Sequence, residues 1–111
     1  MEILFAGARL AKLYNSDKEL TKAFGPQRAR IVRRRLDQLR AAENLEVMRS
    51  FPGRCHELTG NLKGTLSIDL DGPYRLIFEP AEDPPPFRSD GGLAWNLVTA
   101  IRILRVEDTH G

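Results

Sequence analysis

Hydrophobic residues in this chain change their spacing once, and that change limits the possible folds more than any other feature. Between residues 26 and 42, Ala29, Val32, Leu36 and Leu39 recur at three- and four-residue intervals, with Ile31 widening the stripe. That is the period of a helix with one apolar face, and Arg30, Arg33, Arg34 and Arg40 fall mainly on the other. From residue 65 to 71, Leu66, Ile68 and Leu70 alternate without error with Thr65, Ser67, Asp69 and Asp71. Period two predicts a strand with one wet face. Asp71-Gly72-Pro73 reads as a turn and residues 74–79 as the returning strand of a hairpin.

Helices followed by strands predict an α+β domain, its N-terminal helices packed on one face of a mostly antiparallel sheet. Residues 2–5 read as a short strand ended by Gly7, and residues 9–14 as a short helix. Asn15 or Ser16 can cap a second helix, with Glu19 near the capping-box position of Ser16. Gly25-Pro26 ends it, and the proline suits the first turn of the long helix. Asn44 introduces a turn over residues 45–50 with Leu45 and Met48 inward, closed by Pro52-Gly53. Residues 80–92 form an irregular loop, longer than most and expected to be mobile in the free protein. Residues 97–106 resume as a strand whose apolar residues fall on both faces, which predicts a central place in the sheet. A length of 111 residues suits one domain, 1–111, with one core.

The formal net charge is only +2, but its distribution is uneven. Between Lys18 and Arg40 lie eight basic residues and two acidic ones, Glu19 and Asp37. Such a concentration suggests an anionic partner, nucleic acid or an acidic protein surface, or else a solvated helix face. Cys55 is the only cysteine, which excludes a disulfide framework and zinc-finger spacing and fits a reducing compartment. No segment reads as a signal peptide or reaches membrane-spanning length, so a cytoplasmic location away from membranes is expected.

Chemistry-bearing residues gather in two places. Arg54, His56 and Lys63 precede the first hairpin strand, Tyr74 and Arg75 begin the second, and Glu107-Asp108-Thr109-His110 closes the chain. Alternation sets Arg75 against Tyr74 and Phe78, and makes Asp69 its cross-strand neighbour. Metal-free RNA cleavage needs a base for the ribose 2′-hydroxyl, an acid for the leaving 5′-oxygen and positive charge on the phosphate. Histidine serves either proton transfer near neutral pH, and arginine grips two phosphate oxygens through its planar fork. Glu107, Asp108 and His110 crowd one strand end without a further acidic motif, so no metal site and no cofactor is expected.

The order of these motifs resembles the RelE/HigB-type toxins of bacterial type II toxin–antitoxin systems, in particular their "killer protein" branch. The residues that carry it are the leucine-rich basic helix around Leu36 to Ala42, Phe51-Pro52-Gly53, and the R-x-H-x-L-x-G-x-x-K-G run from Arg54 to Gly64. The alternating strand Leu66 to Leu70, Tyr74-Arg75-Leu76 and Asp108-Thr109-His110 complete it. The resemblance implies a compact RelE-like fold and a ribosome-dependent mRNA interferase. It implies a helix-turn-helix antitoxin as partner, with operator DNA reached only through the antitoxin. By position His56, Arg75, Asp108 and His110 are the implied catalytic residues. Arg54, Lys63 and Tyr74, with Arg30, Arg33 and Arg34 on the basic helix, are implied to bind RNA or phosphate. Thr109 stands where the family commonly has tyrosine, and threonine cannot stack on a base. Two alternatives share the fold: a ParE-like toxin that binds gyrase, and a catalytically degenerate toxin acting as an antitoxin-bound co-repressor.

Overall fold

A computed structural model describes residues 1–109. Strand β1 (Glu2–Phe5) leads into helices α1 (Ala8–Tyr14), α2 (Asp17–Phe24) and α3 (Pro26–Ala41), then strands β2 (His56–Glu57), β3 (Leu66–Asp69), β4 (Tyr74–Pro80) and β5 (Ala100–Asp108). Short 3-10 turns occupy Leu45–Ser50, Gly60–Leu62 and Trp95–Leu97. The strands form one sheet in the order β1-β5-β4-β3-β2. β1 runs parallel to β5 and the other three pairings are antiparallel, so the α+β architecture has a mixed sheet dominated by antiparallel ladders.

The helical layer is built as its spacing dictates. The Ser16 hydroxyl accepts the Glu19 N–H at 3.1 Å and starts α2. Gly25, at φ 82, ends α2, and Pro26 opens α3 at once. Val32, Leu36 and Leu39 of α3 are wholly buried in one core with Ile68, Leu76, Phe78, Ile101 and Ile103 of the sheet. Each such aliphatic side chain contributes about 2 kcal/mol on burial. The ammonium group of Met1 donates to the carbonyls of Leu39, Arg40 and Ala42, placing a positive charge at the negative end of α3 and seating β1 beside it.

Three features depart from the simplest reading of the sequence. The last strand begins at Ala100, after a 3-10 turn, and runs to Asp108. It is central, between β1 and β4, but the cause of its two-sided apolar pattern is a bulge. Ile77 pairs with Arg105 and Phe78 with Ile103, leaving Leu104 as the extra residue. Ile101, Ile103 and Val106 therefore all meet the core across a three-residue step. The wet face of β3 is also interrupted. Ser67 has no exposure, because it lies between the larger His56 and Ile77 in the ladder. Finally, Arg35 turns inward from α3 and is buried.

Candidate active site

The sheet face away from the helices carries two adjacent rows of side chains. Directly paired residues in an antiparallel ladder share a face. One row is His56, Ser67, Ile77 and Arg105; the next is Asp69, Arg75 and Glu107. Three ion pairs knit the second row to its surroundings. Arg54 holds Asp69 at 2.8 Å, Arg75 approaches Asp69 at 3.6 Å, and Arg105 approaches Glu107 at 3.5 Å. Three guanidiniums and one imidazole thus face two carboxylates. Such partly exposed pairs contribute little to stability. Their use is to fix where positive charge stands.

His56 is oriented by the backbone. Its Nδ1 lies 2.6 Å from the carbonyl oxygen of Arg54. A carbonyl only accepts, so Nδ1 carries a proton and donates, and in the neutral ring Nε2 is the nitrogen with the lone pair. Arg54 can offer that carbonyl because it sits at φ 48, and Gly53 before it at φ 107. A non-glycine residue there is strained and must be held by its surroundings. The holding group is Asp69. Its N–H donates to the Gly53 carbonyl at 2.7 Å, its carboxylate binds the Arg54 guanidinium, and its own carbonyl accepts from Nε of buried Arg35 at 3.1 Å. Burial pushes the Arg35 pKa down, and the neighbouring Arg34 charge adds to the effect. Asp69 is therefore the hub of the turn that aims His56, a role that alternation alone did not reveal.

The other residues expected at the site divide into groups. Arg54, His56 and Arg75 share the open face. Tyr74 does not: it lies on the helix side, with the Arg28 guanidinium 3.5 Å over its ring and Arg28 also paired to Asp71 at 2.9 Å. Asp108 pairs with Tyr74 in the ladder, and the acid beside Arg75 is Glu107. His110 lies outside the described residues. Lys63 is exposed in the segment after the Gly60–Leu62 turn, one end of the sheet away from Asp69. On α3, Arg33 is tied down by Asp17 at 2.8 Å and by the Tyr14 carbonyl, whereas Arg30 and Arg34 are exposed. These arginines flank a groove of about 460 Å³ between α2 and α3, separated from His56 by the helical layer.

Two further contacts steady the short edge strand that carries His56. The Trp95 indole N–H donates to Glu57 at 3.0 Å, and the Arg49 guanidinium lies 3.7 Å over the Trp95 ring. Cys55 precedes His56 but packs against the core, and burial pushes its thiol up to about 12. A raised thiol pKa keeps the sulfur protonated through neutral and mildly basic pH, where the thiolate is the reactive form. The folded protein is therefore expected to resist iodoacetamide at pH 8 and to react at Cys55 once unfolded in denaturant. Mass spectrometry after timed alkylation checks this, and rapid labelling of the folded chain would contradict it.

The model of one protein family, described as the RelE-like toxin of type II toxin–antitoxin system HigB, matches residues 4–84. That span runs from β1 through β4 and includes every element of the His56 turn. A search of curated proteins finds no match.

Proposed function

The chain belongs to the HigB-like toxin family of type II toxin–antitoxin systems, which gives it an antitoxin as partner, and from that premise we propose a ribosome-dependent mRNA endoribonuclease. Toxins of this family are generally endoribonucleases, and the open face supplies parts suited to that chemistry. The observation that carries the proposal is the Nδ1–H donation from His56 to the Arg54 carbonyl, which leaves Nε2 as a base. In the proposed step Nε2 takes the proton of a ribose 2′-hydroxyl. The 2′-oxygen attacks the adjacent phosphorus, and the 5′-oxygen leaves with a proton. The products are a 2′,3′-cyclic phosphate and a free 5′-hydroxyl. Arg75, with Arg54 beside it, would steady the charge that gathers on the phosphate. His110 would be the acid.

Mapping mRNA ends after adding the purified chain to translating ribosomes tests the proposal. Discrete new ends carrying 5′-hydroxyls are expected. Intact mRNA together with inhibited DNA supercoiling would replace it by the gyrase-binding alternative, and intact mRNA with neither effect by the co-repressor one.

Thr109 has a structural task. Its N–H and its hydroxyl both donate to the Pro73 carbonyl, at 3.0 and 2.8 Å, which ties the end of β5 to the hairpin turn. A hydroxyl engaged there is not a proton donor to the leaving group. Thr109→Val is expected to cost about 1 kcal/mol of stability and to leave cleavage within about threefold. A tenfold loss of cleavage in a folded variant would instead give the hydroxyl a part in the reaction.

A further inference from the structure

A groove of about 640 Å³ opens at the end of the sheet beside His56, between the segment joining β2 to β3 and the loop after β4. Leu58, Lys63, Thr65, Pro85, Phe87 and Leu93 are among its lining residues. We propose that this groove binds one nucleotide of single-stranded RNA, its base stacked on the Phe87 ring and its phosphate against Lys63. The ligand class rests on the nuclease reading; the site itself rests on the following geometry.

Phe87 is 60% exposed, and only Leu97 among the described large apolar side chains is comparably bare. The loop that presents it is closed by its own bonds. Phe87 bridges to Leu93, the Arg88 N–H donates to the Gly92 carbonyl at 2.7 Å, and the Gly92 N–H donates to Asp90 at 2.9 Å. Arg88 pairs with Asp90 at 3.0 Å, and the Ala94 N–H donates to the Pro86 carbonyl at 2.9 Å. A phenyl ring held open to solvent on a tied loop is a stacking platform, and every base offers a π-face to it. The charge at the rim fits the same ligand. Lys63 is exposed with no ion pair among the described residues, while Arg88 is engaged by Asp90 and Glu57 by Trp95. A mostly apolar trough with a single available cation suits one base and its phosphate.

Two lining residues, Leu58 and Thr65, lie two positions along their segments from His56 and Ser67 of the candidate active site. The Leu58 N–H donates to the Thr65 carbonyl, extending the ladder in which His56 pairs with Ser67. Thr65 stands two residues from Ser67, about 7 Å along the strand. A nucleotide held there would adjoin the one whose 2′-hydroxyl would meet His56, so the groove would hold the neighbouring base without choosing its identity.

The test uses the full chain carrying His56→Gln, to prevent cleavage, and oligoribonucleotides with 2-aminopurine at each position in turn, both free and loaded on ribosomes. Quenching at one position is expected, abolished by Phe87→Ala and retained by Phe87→Trp. Phe87→Ala is expected to weaken RNA binding about tenfold, and Lys63→Ala to weaken it with a smaller salt dependence. Absence of quenching at every position, or equal quenching in Phe87→Ala, overturns the proposal. So does a Phe87→Ala variant that loses antitoxin affinity while its RNA signal is unchanged, which would make the groove a protein-docking surface. Cleavage by the parent chain without Phe87-dependent quenching sinks the groove alone. Phe87-dependent quenching without cleavage sinks the nuclease reading and leaves the RNA site.

Discussion

Replacing His56 with alanine is expected to slow mRNA cleavage on translating ribosomes by about 10²–10⁴-fold, with the fold intact. The expectation follows from what the substitution removes. His56 is half-buried at the edge of the sheet, outside the hydrophobic core, so its loss leaves no large cavity. The backbone pairs of His56 with Ser67 survive in alanine. What vanishes is the only ring nitrogen on the described face that is free to accept a proton. His56→Asn makes the argument sharper, since it can keep a donor toward the Arg54 carbonyl while supplying no base. Quantitative end-mapping on the parent and both variants measures the effect. Loss in alanine with full activity in asparagine would show that His56 acts only as a prop for the turn, and undiminished cleavage in both would remove His56 from the mechanism.

Gly53→Ala is expected to destabilise the protein by about 3 kcal/mol, combining positive-φ strain with overpacking. A Cβ on Gly53 would stand 2.7 Å from Cγ2 of Ile68 and 3.0 Å from Nε of Arg35, at φ 107. Neither neighbour can retreat easily. Ile68 is wholly buried, and the same Arg35 nitrogen holds the Asp69 carbonyl. Denaturant unfolding of parent and variant gives the difference directly. A loss below about 1 kcal/mol would mean that the turn relaxes freely. Because Gly53, Asp69 and Arg54 form one bonded unit, the variant that remains folded should also lose cleavage, through displacement of the carbonyl that orients His56.

Much of this arrangement was legible beforehand because it is local. The Pro26–Ala41 helix follows from its apolar stripe, the hairpin from alternation, and the Asp69–Arg75 pairing from the length of the Asp71-Gly72-Pro73 turn. The placement of Glu107 beside Arg75 does not follow from simple alternation, because one extra residue, Leu104, resets which side each later residue faces. The three-residue step from Ile103 to Val106, in a strand otherwise spaced by two, was the available signal. Arg35 was illegible for a different reason. In a run of three arginines nothing in the spacing marks which one is needed inside, and that is decided by a carbonyl 34 positions away in the chain. Asp69 looked like a surface charge for the same reason: two of its three bonds in the turn use its backbone, which every residue possesses.

The sheet topology has a temporal consequence. The first strand pairs only with the last one, so during vectorial synthesis β1 waits unpaired until Ala100–Asp108 has been made. The same late strand also completes β4 and supplies Arg105 and Glu107 to the open face. A nascent chain stalled before that point would have helices and a hairpin but two raw sheet edges and an open face without Arg105 and Glu107. The order of synthesis therefore sets the order of assembly: helices and hairpin can form first, and the sheet closes only when β5 enters between β1 and β4.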